Sequence, residues 1–234
     1  RLLSELVLRS PMIPAATKAL ASTDVREKGL KVVQYAAKLL HYYLSRANPS
    51  DPNAKRAKAV SKWLSTGRRL MKLLRWIKYF GDLEDAEKEE VPALSTAMYV
   101  AFGAGVFADT LQDALTLEKI GVLKKGTLPP TFERYANSAE LIVAVIGITT
   151  SVFKVSRGQA KVATAIRECK AEKTNSAAQK VFLAQLGLIK NACDTVRSVD
   201  DLELAGDLTL GVGLVCGLMS GALSGYTKVL KAVK

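Results

Sequence analysis

Few side chains in this 234-residue sequence are spaced for covalent chemistry. His41, the only histidine, sits between Leu40 and Tyr42, and Cys169, Cys193 and Cys216 share no short spacing. A soft-metal site needs such donors gathered into one set, so no metal and no other cofactor is expected. A glycine-rich phosphate loop followed by Lys-Ser or Lys-Thr is lacking, as is a nucleophile elbow, and the chain reads as a non-enzyme. Asp109 and Asp113, one helical turn apart, have the look of an acid pair, but the end of an apolar helix at a membrane rim explains them as well. An odd, scattered cysteine set argues against a disulfide framework and fits a reducing compartment or a lipid environment.

The chemistry these residues favour is electrostatic contact with an anionic surface. From Ala54 to Phe80 the spacing predicts one helix with an apolar stripe of Val60, Trp63, Leu64, Leu70, Met71, Leu74 and Ile77. Opposite it lie nine bases and no acid, namely Lys55, Arg56, Lys58, Lys62, Arg68, Arg69, Lys72, Arg75 and Lys78. Such a helix can sink its apolar face into the headgroup boundary while its bases meet anionic phospholipid, at about 1 kcal/mol per Lys or Arg. The expected lipid-binding set is Lys55, Lys58, Lys62, Trp63, Leu64, Arg68, Arg69, Leu70, Lys72, Leu74, Arg75 and Ile77. Two other readings stand beside it: the stripe is a core face with solvated bases, or the bases with Trp63 and Trp76 track a nucleic-acid backbone. The apolar runs downstream speak against nucleic acid.

The elements that must position this segment follow from charge and hydropathy. Residues 1–81 hold 17 basic and 4 acidic side chains, and residues 82–234 hold 17 and 18, so the net charge of +12 lies almost wholly at one end. The chain divides into a basic amphipathic region (1–81) that binds the membrane surface, an acidic linker (82–92) and a membrane-embedded region (93–234). Pro11 and Pro14 punctuate a short first helix. Asp24 and Glu27 form a capping-box start for the next, which the Asn48–Asn53 turn cluster ends.

Eighteen uncharged residues separate Glu90 from Asp109, about 27 Å as a helix, close to a bilayer core of about 30 Å. Leu141–Phe153 is a shorter uncharged run, and Leu208–Thr227 is the best spanning candidate. In that last run Gly213, Gly217, Gly221 and Gly225 recur every four residues as a glycine-zipper stripe. Glycine costs roughly 1 kcal/mol against alanine in a helix, so close packing must compensate, either against the chain's own helices or against another copy. The fold class is therefore all-α, a helical membrane protein with N-terminal basic amphipathic helices and two to three apolar membrane helices. Charge counting puts residues 1–81 and 154–180 on the cytosolic side, with 109–140 opposite.

Several motifs together resemble the peroxin eleven family. Arg26-Glu27-Lys28, Gln34-Tyr35 and the run Leu39-Leu40-His41-Tyr42-Tyr43-Leu44 are similar to its N-terminal signature. Arg68, Leu70, Lys72, Leu73 and Arg75 resemble its basic amphipathic segment, and Ile120-Gly121-Val122-Leu123 its central one. Asp194 with the glycine-rich terminal helix resembles the C-terminal one. The sequence departs from the pattern at Val25, where Gly is common, at Lys31, where Arg is usual, and near Thr116, where an aromatic is missing. The resemblance implies a peroxisomal membrane protein that inserts an amphipathic helix, self-associates, elongates the membrane and meets fission machinery. Two alternatives are an accessory helical subunit of a mitochondrial inner-membrane complex and a pore for small metabolites.

Overall fold

The structure, a computed structural model, describes residues 23–169, 171–204, 206 and 210–233; the short helix expected around Pro11 and Pro14 lies outside them. Every regular element among the described residues is helical. In chain order these are α1 (Thr23–Ala47), α2 (Pro52–Leu70), a 3-10 turn (Arg75–Lys78), α3 (Tyr79–Glu87), α4 (Pro92–Lys119), α5 (Thr131–Arg167), α6 (Ala171–Asp201) and α7 (Leu210–Val233).

Short connections make antiparallel neighbours of α1 and α2, α4 and α5, and α5 and α6. Asp51 starts α2 by accepting the Asn53 N–H at 2.7 Å, with Pro52 in the first turn, where its missing donor costs nothing. Between α4 and α5 the chain reverses through Gly121 and Gly126, both at positive φ, and the Glu118 carboxylate accepts the N–H of Thr127 at 3.0 Å. The last helix returns to pack on both α1 and α6.

The core between helices is made of small and polar groups rather than large apolar ones. Ala54, Ala57, Ala86, Ala108, Ala136, Ala139 and Ala144 are buried, and so are Glu27, Lys31, Gln34, Arg68, Thr116, Ser198, Ser220 and Ser224. Large apolar side chains point outward instead. Tyr99, Val100 and Phe107 of α4, and Ile142, Val145, Val152 and Phe153 of α5, are all exposed. These two helices are long and apolar enough to cross a membrane, and only 17% of the apolar window of each is buried in the bundle. A soluble core helix would hide that surface, whereas lipid accepts it.

The structure revises three expectations. The helix expected over 54–80 is broken after Leu70, and Leu74 takes a left-handed conformation (φ 60°) before the 3-10 turn. Asp113 of α4 accepts the Leu74 N–H at 2.9 Å, so a partner distant in sequence fixes the bend where neither Pro nor Gly stands. Much of the acidic segment 82–92 is helix rather than linker, with Ala86 fully buried and its carbonyl accepting from Ser95 Oγ at 2.8 Å. The two basic blocks also fail to share a side. The Leu74–Asp113 bond puts the first beside the 109–140 end of α4, while Arg157, paired with Glu89 at 2.7 Å, marks the opposite end. Charge counting treats each block as a unit and cannot see which end of α4 it docks on.

Candidate functional site

The segment from α2 through the 3-10 turn presents three surfaces. Ala54, Ala57, Ser61 and Arg68 form the buried face of α2, which packs on α1. Around the helix from it, Val60, Trp63 and Leu70 are exposed, and Met71, Leu74, Ile77 and Phe80 continue that exposed apolar surface past the bend. Trp63 is 79% exposed, which a core residue never is. The core-face alternative for this stripe is thereby overturned; Leu64 alone in the expected set's apolar part is half-buried. Lys55, Arg56, Lys58 and Lys62 are exposed along the same helix.

The later bases behave differently. Arg68 turns inward and holds Glu27 Oε1 through Nε at 2.9 Å and Nη2 at 2.8 Å, while its Nη1 donates to Gln34. Lys28 meets the other Glu27 oxygen at 2.7 Å, and Lys72 approaches Oε1 at 3.9 Å. Burial opposes the charge of Glu27, yet Lys72, Lys28 and Arg68 together hold its carboxyl well below the usual range. Arg69 is half-buried, with Nη1 enclosed, and Arg75 is half-buried in the turn. Of the expected lipid-binding bases, Lys55, Lys58 and Lys62 face outward, and Arg68, Arg69, Lys72 and Arg75 are drawn toward the bundle.

The signature residues of α1 carry the other half of this interior. Lys31 donates to Ser220 Oγ of α7 at 2.8 Å and pairs with Asp194 of α6 at 3.2 Å. Burial pushes its ammonium down to about 7 against the pull of Asp194. Asp194 is half-buried, and although burial opposes its charge, Lys31, Lys190 (3.0 Å) and Ser220 keep it well below the ordinary carboxylate range. Tyr35 is buried, with Lys38 over its ring at 4.9 Å and Arg197 at 5.8 Å. Arg197 in turn reaches Asp201 at 2.8 Å and Glu140 at 3.6 Å. No local pattern signals that Glu27 and Arg68 meet. Glu27 gives its carboxylate to this cluster, although its spacing from Asp24 reads as a capping box.

The glycine stripe lies against the chain's own helices. A Cβ added at Gly217 would stand 2.1 Å from the Tyr35 ring, and one at Gly213 would meet the Asp200 carboxylate. Gly221 faces Lys31 and Val32, and Gly225 faces Lys28. Of the two packing readings open for these four residues, the structure shows the stripe filled from within. His41 lies half-buried on α1 with Nδ1 enclosed, and the described residues hold no group of three or more His, Cys, Asp or Glu placed to share a metal.

A bundle held by internal ion pairs, with two uncovered apolar helices and a basic amphipathic segment at its flank, defines an all-α membrane protein. From residue 14 to 229 the sequence matches the family of peroxisomal biogenesis factor 11 (PEX11). The chain belongs to this family, which places it at the peroxisomal membrane and gives it a general part in that membrane's proliferation. The family is one of biogenesis factors, and the mitochondrial alternative finds no support in the match. No curated protein and no solved structure matches the chain.

Proposed function

We propose that this chain bends and elongates the peroxisomal membrane by seating the outer face of α2 and the following turn in one leaflet. The single observation that carries this reading is the exposed apolar stripe of Val60, Trp63, Leu70, Met71, Leu74 and Ile77 beside the exposed Lys55, Lys58 and Lys62. An apolar wedge entering one leaflet expands it, and the flanking lysines add about 1 kcal/mol each on an anionic surface. The inward-turned Arg68 and Lys72 act as the hinge pin of the wedge: through Glu27 they fix α2 to α1 and thus to the membrane-crossing helices. Self-association and contact with fission machinery belong to the same reading. Because α1 and α6 cover the glycine stripe, copies meet through other surfaces, such as the uncovered apolar faces of α4 and α5.

Full-length protein reconstituted into liposomes containing anionic phospholipid tests this. Electron microscopy is expected to show tubules with the natural sequence, and spheres when Lys55, Lys58 and Lys62 are all changed to Glu, with equal protein inserted. Tubules drawn equally well by the charge-reversed protein, or absent with the natural one, would end the proposal. Raising salt should weaken the exposed lysine contribution, since a Debye length of about 8 Å at physiological salt shrinks to about 3 Å at 1 M.

A further inference from the structure

A polar cavity of about 260 Å³ opens between α1, α2, α4, α5 and α6, at the end of α4 where its uncharged run stops. Both charge signs line it. Arg68 and Arg197 are already satisfied there by Glu27 and Gln34, and by Asp201 and Glu140. Between them stand two enclosed atoms with no hydrogen-bond partner, Arg69 Nη1 and Asp109 Oδ2, although the Asp109 carboxylate also bonds Tyr79 and faces the charges of Arg75 and Lys72. Lys38 at the same wall lies 4.9 Å over the Tyr35 ring and near the Asp201 and Asp200 carboxylates, and Lys119 reaches Glu133 at no closer than 3.7 Å. A buried donor or acceptor left unpaired costs about 1–3 kcal/mol, so this wall is built to receive something that supplies an acceptor to Arg69 and a donor to Asp109.

We propose that the cavity binds a small phosphate ester that also carries an amine or hydroxyl group. A phosphate oxygen suits a guanidinium fork, and nearby Lys38 and Lys119 add charge to the same end. A bare phosphate would leave its second charge facing Asp109, whereas an ester with a protonated amine places the cation against that carboxylate. The volume is below the roughly 300–1,000 Å³ of drug-sized pockets, which restricts the occupant to a headgroup-sized molecule. Its place beside the first charged residue after an eighteen-residue uncharged run is the depth at which headgroups lie, so the ester is either the head of a membrane lipid or a free metabolite of the same chemistry.

Calorimetry on the full chain in detergent micelles, with phosphoethanolamine and inorganic phosphate as probes, tests the site. Saturable binding is expected, with phosphoethanolamine about tenfold tighter than phosphate. Arg69→Gln should weaken both probes about tenfold, and Asp109→Asn should remove only the advantage of the amine. Circular dichroism checks that each variant is folded, and Lys38→Gln, at the cavity edge, should weaken both probes if either of the first two is not. Nanodiscs of mixed phosphatidylethanolamine and phosphatidylcholine separate the sources: native mass spectrometry showing retained phosphatidylethanolamine identifies a lipid ligand, and binding of the soluble ester without retained lipid identifies a free one. No saturable ester binding together with no lipid preference would overturn the proposal and leave a water-filled cavity. Probe affinities unchanged in folded Arg69→Gln would overturn it as well.

Discussion

Replacing single glycines of α7 with alanine separates packing inside the chain from packing between chains. At Gly217 the new methyl would stand 2.1, 2.4 and 2.6 Å from three atoms of the Tyr35 ring. That ring is 4% exposed and sits between Lys38 and Arg197, so it has little room to retreat. At Gly225 the same methyl would lie 3.7 Å from Lys28 Cβ, an ordinary contact. Both changes gain about 1 kcal/mol of helix propensity, and only the first meets an overpacking cost of about 1–3 kcal/mol. Gly225→Ala is therefore expected to raise the thermal midpoint, and Gly217→Ala to leave it unchanged or lower it, with a loss of up to about 2 kcal/mol of stability. At roughly 2–4 °C per kcal/mol for a chain of this size, the two midpoints differ by several degrees. Scanning fluorimetry in micelles measures this, alongside light scattering for particle mass. Equal shifts in the two variants would refute the reasoning. So would a Gly217→Ala protein that keeps its midpoint but loses copies from the particle, because the stripe would then face a neighbour.

Other perturbations reach the ion pairs and the bend. Glu27→Gln breaks a buried pair and should cost about 3–5 kcal/mol at neutral pH, read by chemical denaturation. Because the folded protein holds Glu27 below its ordinary value of 4.5, its stabilisation is complete above that pH and drains away as pH falls below it; in Glu27→Gln the acid loss should be shallower. Lys31, held down to about 7 from 10.5, has the corresponding effect at the other end of the scale. Folding opposes its charge, so stability should climb between pH 7 and about 10, and Lys31→Met should flatten that climb in pH-dependent thermal scans. Leu74→Gly relieves a left-handed leucine, worth about 1–2 kcal/mol before the added backbone entropy of Gly, and should not destabilise the protein in micelles. In Trp76→Phe protein, brominated lipid should quench the remaining Trp63 emission strongly; an unquenched Trp63 would count against leaflet insertion.

How much of this was legible depended on whether the cause lay nearby in the chain. Uncharged runs announce α4 and α5 because lipid-facing helices are apolar over many consecutive residues, and the Pro52 and Asp51 start of α2 is local chemistry. The glycine spacing announced close approach but not its partner, since a four-residue period records only that something sits near the backbone. The break at Leu74 was invisible: the apolar period runs on through Met71, Leu74 and Ile77, and the bond that bends the chain comes from Asp113, 39 residues away. Arg68 illustrates the same limit at the candidate site. As one of nine bases on a helix it reads as a lipid contact, and only the fold shows that Glu27 and Gln34 claim it.

The left-handed residue at the end of α2 has a geometric outcome for any sheet of lipid it enters. A rod pressed into a leaflet spreads it along one line, whereas an elbow spreads it along two, and the Leu74 conformation gives that elbow the same hand in every copy. Every copy lying on the same face of a membrane must turn in the same sense. Under the insertion proposed above, a crowd of them would carry a built-in chirality.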